Sequence, residues 1–107
     1  MDGLTIHKSS PDGAAISTLV LVGELEIVSI GKFREFVIQA LERADRHLEL
    51  DLSGITRCDE GSLYAVLGMC QATHHAGGSL AITAASTPVR DALHRTGLDR
   101  VLTIPHP

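Results

Sequence analysis

The sequence predicts an α/β fold with a mixed β-sheet, mostly parallel with an opening hairpin, covered by helices. Apolar segments with strand-like alternation or β-branched residues recur along the chain, and segments with helical apolar spacing separate the later ones. Two strand-like segments at the start flank a short turn, which favours an antiparallel hairpin. Strands that alternate with helices need crossover connections, and these favour parallel pairing.

Length and composition predict a single domain over residues 1–107. The chain is 44% hydrophobic and 21% charged, and at this size roughly 60–70% of the unfolded surface can be buried. A net charge of −4 provides no general basic field for nucleic acid or an anionic membrane. A protein or a small molecule is therefore the expected partner.

The chain shows none of the sequence features of export or membrane insertion. The segment "MDGLTIHKSSPDG" lacks a basic start followed by an apolar run, and apolar stretches fall short of the ~20 residues of a membrane span. Only Cys58 and Cys70 are present, too few for a disulfide framework. We expect a cytoplasmic location.

The first two strands and their turn come from the opening third of the chain. "LTIHK" (Leu4–Lys8) alternates apolar and polar residues, as a half-buried strand does. "SSPDG" supplies turn residues. "AISTLVLVG" (Ala15–Gly23) is rich in β-branched residues and is predicted to be the second strand.

A helix and a third strand are predicted next. From Ser29 to Ala44, apolar residues recur at steps of three and four, which predicts a helix with Ser29 as its cap. The stripe consists of Ile30, Phe33, Val37, Ala40, Leu41 and Ala44. "HLELDL" (His47–Leu52) alternates leucine with polar residues and is predicted to be a strand that ends at Leu52.

A second helix is predicted to begin near Glu60 and to end before "GG" at Gly77 and Gly78. Its apolar stripe consists of Leu63, Val66, Leu67 and Cys70.

Three elements are predicted for the end of the chain. "SLAIT" (Ser79–Thr83) is a short strand, and "STPVRDALHRTG" is a helix with Thr87 as cap, Pro88 in the first turn and Gly97 after its end. "VLTI" (Val101–Ile104) is a possible final strand.

The pentapeptide "CDEGS" lies between a predicted strand end and a predicted helix start. A helix start offers free backbone N–H groups and the positive end of a dipole. Asp59 can cap this helix, and Gly61 allows close approach of another chain or ligand to the backbone. Asp59 and Glu60 already place negative charge there, so an anion would be repelled.

Several motifs resemble those of the STAS family of anti-sigma-factor antagonists. They are "GELE" at Gly23–Glu26, "LDLSGITRCDEGSL" at Leu50–Leu63, "GGSLAIT", and "VRDALHRTGLDRVL". The resemblance spans nearly the whole chain and implies a STAS-type fold. It also implies a binding switch, in which the protein binds an anti-sigma factor that is a serine kinase and so releases a sigma factor.

The resemblance implies a partner surface built from the "GELE" loop and the start of the second helix. Its expected members are Glu24, Glu26, Asp59, Glu60, Gly61 and Ser62.

The sequence departs from the family pattern at the phosphoacceptor. The family motif reads Asp-Ser-Ser-Gly and its second Ser is phosphorylated, whereas Gly61 stands at that position here. One alternative is that Ser62 is a displaced acceptor. Another is an antagonist that phosphorylation cannot switch off, or one in which Glu60 supplies a permanent negative charge near the interface. A third alternative is a docking module outside sigma regulation, in a stress-signalling or lipid-transport assembly.

Catalysis, metal and cofactors are not expected. Adjacent carboxylates at a helix start point apart and do not converge on a substrate, and phosphate-loop, serine-elbow and zinc-protease motifs are absent from the sequence. His74 and His75 are neighbours on a helix and cannot chelate together. Redox control through Cys58 and Cys70 is a further hypothesis, and the sequence leaves the oligomeric state open.

Overall fold

A computed structural model describes residues 3–9, 16–43 and 46–102. The described elements in chain order are β1 Leu4–Lys8, β2 Ser17–Leu25, α1 Ile30–Glu42, β3 His47–Cys58, α2 Glu60–His75, β4 Ser79–Ala85, α3 Thr87–Thr96 and a 3-10 turn at Leu98–Arg100. None of the described helices is both long and apolar enough to cross a membrane.

The described strands form one mixed sheet in the order β1-β2-β3-β4. β1 pairs antiparallel with β2, from Leu4 opposite Gly23 to Lys8 opposite Leu19, while β3 pairs in parallel with both β2 and β4. This confirms the predicted fold class. The turn predicted at "SSPDG" falls largely outside the described residues.

The core lies on one face of the sheet. Alternate strand residues are buried and their neighbours are more exposed, and α2 packs against both α1 and α3. Strands β2, β3 and β4 are parallel neighbours in chain order, so crossovers of the usual right-handed kind place α1 and α2 on the same side, where the two helices are in contact. The opposite face, which carries Thr5, His7 and Asp51, has no helix packed on it among the described elements.

The predicted stripe of α1 is confirmed for the residues that the structure describes. Ile30, Phe33, Val37 and Ala40 are buried, and Leu41 is partly buried against the core, whereas Ala44 falls outside the described residues. The predicted capping role of Ser29 is wrong. Its side chain makes no cap hydrogen bond, because its hydroxyl is engaged in the preceding turn.

β3 is six residues longer than predicted, since it continues past Leu52 to Cys58. The additional residues pair with the end of β2, from Val22 opposite Gly54 to Leu25 opposite Cys58, with one shift in register before Val22 and another between Gly23 and Glu24. At Gly54 a Cβ would lie 3.0 Å from Cγ2 of Val22. Because Gly54 has no side chain, it fits beside Val22 and the strand continues there, although the sequence resembles a turn.

The last predicted elements are partly corrected. Ser86, and not Thr87, occupies the cap position of α3, and Thr87 begins the helix itself. Gly97 ends it in the left-handed conformation, at φ 76°. Val101 and Leu102 follow the 3-10 turn and are not in a strand; the rest of "VLTI" falls outside the described residues.

Candidate protein-binding site

The junction between β3 and α2 consists of a single residue, Asp59. Cys58 ends the strand and Glu60 begins the helix. Asp59 has an extended backbone, with φ −91° and ψ 163°, and its Oδ1 accepts a hydrogen bond of 2.8 Å from the backbone N–H of Ser62. The predicted cap is therefore confirmed, and "CDEGS" is a capped helix start that follows directly from a strand.

The second carboxylate oxygen of Asp59 binds a different segment. Oδ2 accepts a hydrogen bond of 2.9 Å from the backbone N–H of Ile27, and the backbone N–H of Asp59 donates to the carbonyl of Leu25 at 3.1 Å. Asp59 thus joins α2 to the turn between β2 and α1. Partial burial alone would raise the pKa of Asp59, but the hydrogen bonds from Ile27 and Ser62 outweigh it and lower the pKa.

Ser29 fixes the same turn from its other end. Its hydroxyl lies 3.0 Å from the carbonyl oxygens of both Glu24 and Glu26, to which it donates, and it accepts from the N–H of Glu26 at 3.1 Å. The backbone N–H of Ser29 donates to the Glu26 carbonyl at 2.9 Å. The turn is therefore held at both ends while its central side chains stay in solvent.

Two adjacent apolar side chains occupy the middle of this turn. Ile27 is 56% exposed and Val28 is 88% exposed. Gly61, on the first turn of α2, lies against Ile27, since a Cβ built there would be 3.6 Å from both Cβ and Cδ1 of Ile27. Tyr64, three residues further along α2, is 55% exposed. We call Ile27, Val28, Gly61 and Tyr64 the apolar patch.

Sequence reasoning missed three members of the apolar patch, although a signal was present. Ile27 and Val28 are β-branched and lie between the "GELE" motif and the helical stripe that begins at Ile30. Tyr64 is an aromatic residue outside the stripe of Leu63 and Val66. Each of these apolar residues lies outside the repeating pattern that predicts the buried core.

Ser62 lies on the inner side of α2 and is fully buried. Its hydroxyl donates to the carbonyl oxygens of Asp59 (2.8 Å) and Leu25 (3.0 Å), between which it shares its one proton. The signal for this burial was its position four residues before Val66, on the predicted apolar stripe. In the folded domain this hydroxyl is turned away from solvent.

The three glutamates of the predicted site lie on the same two segments of the chain as the apolar patch. Glu24 is 3.6 Å from Arg57, and Glu60 is 3.9 Å from Arg95, both in exposed ion pairs. Among the residues that the structure describes, no Lys, Arg or His lies within 4 Å of the carboxylate of Glu26. Exposed pairs of this kind contribute at most about 1 kcal/mol.

A family comparison decides the assignment. The model described as "Mlab, STAS domain" matches residues 11–104. The chain belongs to the STAS domain family.

Solved structures share the fold of this STAS domain. An anti-sigma factor antagonist from Mycobacterium paratuberculosis has a TM-score of 0.73 at 19% identity, covering 97% of this chain and 86% of that one. Unphosphorylated SpoIIAA, an anti-sigma factor antagonist, has a TM-score of 0.73 at 16% identity, covering 95% and 89%. SLC26A9 matches 81% of this chain and 17% of its own, with a TM-score of 0.63 at 15% identity.

The STAS domain has two free thiols, and partial burial lowers the reactivity of both. Burial raises the pKa of Cys70 to about 11 and also raises the pKa of Cys58. Both are therefore protonated at neutral pH. Within residues 3–9, 16–43 and 46–102, no three His, Cys, Asp or Glu side chains are grouped so that they could hold a metal ion.

Proposed function

We propose that this STAS domain is an anti-sigma factor antagonist-like protein. It binds an anti-sigma factor with serine-kinase activity and so releases a sigma factor, which places its action in the cytoplasm. The shared fold with anti-sigma factor antagonists supports this proposal. The observation that carries it is Asp59, whose carboxylate joins the turn after "GELE" to the start of α2 and makes one continuous surface from the two predicted segments.

The proposed activity is binding, without catalysis. Asp59 directs both carboxylate oxygens at backbone N–H groups, so it is occupied as a structural acceptor and is not available as an acid or base. The predicted acidic members Glu24, Glu26 and Glu60 lie on the same two segments as the apolar patch and contribute negative charge there.

We further propose that phosphorylation at the start of α2 does not switch this protein off. Position 61 carries no hydroxyl, and the hydroxyl of Ser62 is buried and donates to two carbonyl groups. A phosphate on Ser62 would require the first turn of α2 to open. Glu60 is 57% exposed and provides a fixed negative charge there, about half that of a phosphate.

A second candidate is a docking module outside sigma regulation, in a stress-signalling or lipid-transport assembly. Two observations favour it: the missing hydroxyl at position 61, and the occurrence of the same fold within a much longer chain, SLC26A9. The matched family model, described as "Mlab, STAS domain", is compatible with this candidate. Both candidates use the same surface.

The test is titration calorimetry of the purified domain against each anti-sigma factor kinase of its own cell, with release of the sigma factor measured in parallel. We expect binding by the native protein and weaker binding by Asp59→Ala. Asp51→Ala is the matched control, because Asp51 lies on the open face of the sheet and accepts from Ser53. Binding to a transporter or stress-complex subunit, with none to a kinase, would instead support the docking module.

Incubation with ATP and the bound kinase tests the phosphorylation proposal. We expect the native chain to remain unmodified and Gly61→Ser to become phosphorylated at residue 61, with Gly61→Ala as the control. Stoichiometric phosphorylation of Ser62 in the native chain would show a displaced switch and contradict the proposal.

A further inference from the structure

The apolar patch is a contiguous exposed surface on two elements. Ile27 lies against Gly61, Val28 follows Ile27 in the same turn, and Tyr64 is one helical turn beyond Gly61 on the same side of α2. Single exposed apolar residues are common on protein surfaces. Three large ones gathered at one place are typical of an interaction surface.

The backbone beneath the apolar patch is fixed before any partner binds. Asp59 holds the N–H of Ile27, and Ser29 is hydrogen-bonded to both Glu24 and Glu26. Ordering a loop on association costs free energy, and this turn is already ordered by side chains from two other positions. A partner that binds this turn therefore does not have to order its backbone.

The face of α2 beside the patch is open to close approach. Gly61 and Gly68 are both exposed, and a Cβ at Gly68 would meet nothing within 4 Å. Neither residue is among the glycines with positive φ, so the fold does not require glycine there, and glycine weakens a helix relative to alanine. The two glycines leave α2 without a side chain at these positions, one turn before and one turn after Tyr64. Helices approach each other more closely where side chains are small.

Acidic residues directly precede the patch residues in both segments, and we call them the acidic rim. This end of the domain carries four carboxylates, those of Glu24, Glu26, Asp59 and Glu60. In the part of the chain that the structure describes, two guanidinium groups, those of Arg57 and Arg95, form ion pairs with them. Glu26 has no cation within ion-pair distance among the described residues. A complementary partner therefore carries positive charge around its apolar contacts.

We propose that the apolar patch binds an amphipathic α-helix of a protein partner, whose apolar side chains are flanked by Lys or Arg. This rests on the proposed function and names the segment that the partner supplies to that surface. A second copy of this chain would bring the same acidic rim against itself, and an anionic bilayer would be repelled by it. The exposed glycines before and after Tyr64 favour a helix over an extended segment, because the distance between packed helices depends on the size of the side chains at the contact.

Site-specific photo-crosslinking in the native cell tests this inference. The full chain carries p-benzoylphenylalanine at Val28 or, in a second experiment, at Tyr64; Thr5 on the open sheet face is the matched control position. Both patch positions are expected to crosslink to one segment of one protein, and mass spectrometry of the crosslinked peptide gives its sequence. Thermal unfolding of each variant verifies that it is folded.

A synthetic peptide of the crosslinked segment then tests the chemistry. It should become helical on binding, and Val28→Ala or Tyr64→Ala should each weaken its affinity about tenfold, as for the central residues of an interface. Glu26→Gln together with Glu60→Gln should weaken binding and reduce its dependence on salt. Thr5→Ala should leave the affinity unchanged.

The outcomes separate this inference from the proposed function. A basic amphipathic helix from a protein other than an anti-sigma factor would refute the proposed function and support the inference. An anti-sigma factor that crosslinks only at Thr5, or through an acidic or extended segment, would support the proposed function and refute the inference. Crosslinks to a second copy of this chain or to lipid, or none at Val28 and Tyr64, would overturn the inference.

Discussion

The carboxylate of Asp59 accepts a hydrogen bond of 2.9 Å from the backbone N–H of Ile27, which lies 32 positions earlier in the chain. The other oxygen of the same carboxylate caps α2 through the N–H of Ser62. One side chain therefore fixes the start of a helix and the position of a turn in another part of the sequence. The apolar patch depends on that connection.

Asp59→Asn should lower the free energy of unfolding by about 1–2 kcal/mol, because the amide NH2 would replace one of the two accepting oxygens and face a backbone N–H group. Urea unfolding followed by circular dichroism measures this change. The matched control is Asp51→Asn, which retains an oxygen to accept from the N–H of Ser53 and should change stability by less than about 0.5 kcal/mol. Equal losses in the two variants would contradict the double role of Asp59.

The contribution of Asp59 should also depend on pH. Hydrogen bonds place its pKa in the folded domain below the ordinary value, so its stabilising effect is complete above the pKa of the unfolded chain, about 3.9. The effect is lost as the pH falls through the folded pKa. The difference in stability between the native chain and Asp59→Asn should thus be constant above about pH 5 and shrink below about pH 4. A difference that grows on acidification would have the wrong sign.

Two glycines of the candidate site should respond in opposite ways to alanine. Gly23 has a φ of 114°, and a Cβ there would overlap the carbonyl oxygen of Gly3, which accepts a hydrogen bond from Glu24. Gly23→Ala should therefore cost at least about 2 kcal/mol. Gly61→Ala has ordinary contacts and should stabilise α2 by up to about 1 kcal/mol. Thermal unfolding of both variants measures the contrast, and similar losses would refute it.

Substitutions at Ser62 should show that its hydroxyl is structural. Ser62→Ala removes a donor from two carbonyl groups and should cost about 1 kcal/mol. Ser62→Asp places a charge at a fully buried position and should cost several times as much, or prevent folding. Chemical denaturation of the two variants gives both values. A stable, folded Ser62→Asp would instead fit a phosphorylation site that opens readily.

Local sequence patterns predicted much of the fold. The alternation in "LTIHK", the stripe from Ile30 to Ala40 and the glycine after α3 depend on residues close together in the chain, and each is confirmed. The end of β3 was predicted wrongly because Ser53 and Gly54 resemble a turn. The strand continues there through pairing with β2, a partner that no local pattern reveals.

The cap at the start of α2 was predictable from the sequence, but the contact that joins it to the preceding turn was not. Asp59 as a cap follows from its place before a helical run, and the structure confirms it. Its bond to Ile27 joins residues far apart in sequence, so the sequence alone could not show which apolar side chains that bond holds in place. The apolar patch could therefore be identified only from the three-dimensional structure.

The single-residue connection between β3 and α2 limits how this surface can change during evolution. Most loops tolerate insertions and deletions, but here one added or removed residue would turn the whole of α2 by about 100° relative to the sheet. Asp59 would lose one of its two partners, and Tyr64 would leave the side on which Ile27 lies. Chain length is therefore fixed at this junction, and new binding preferences can arise only by exchange of side chains.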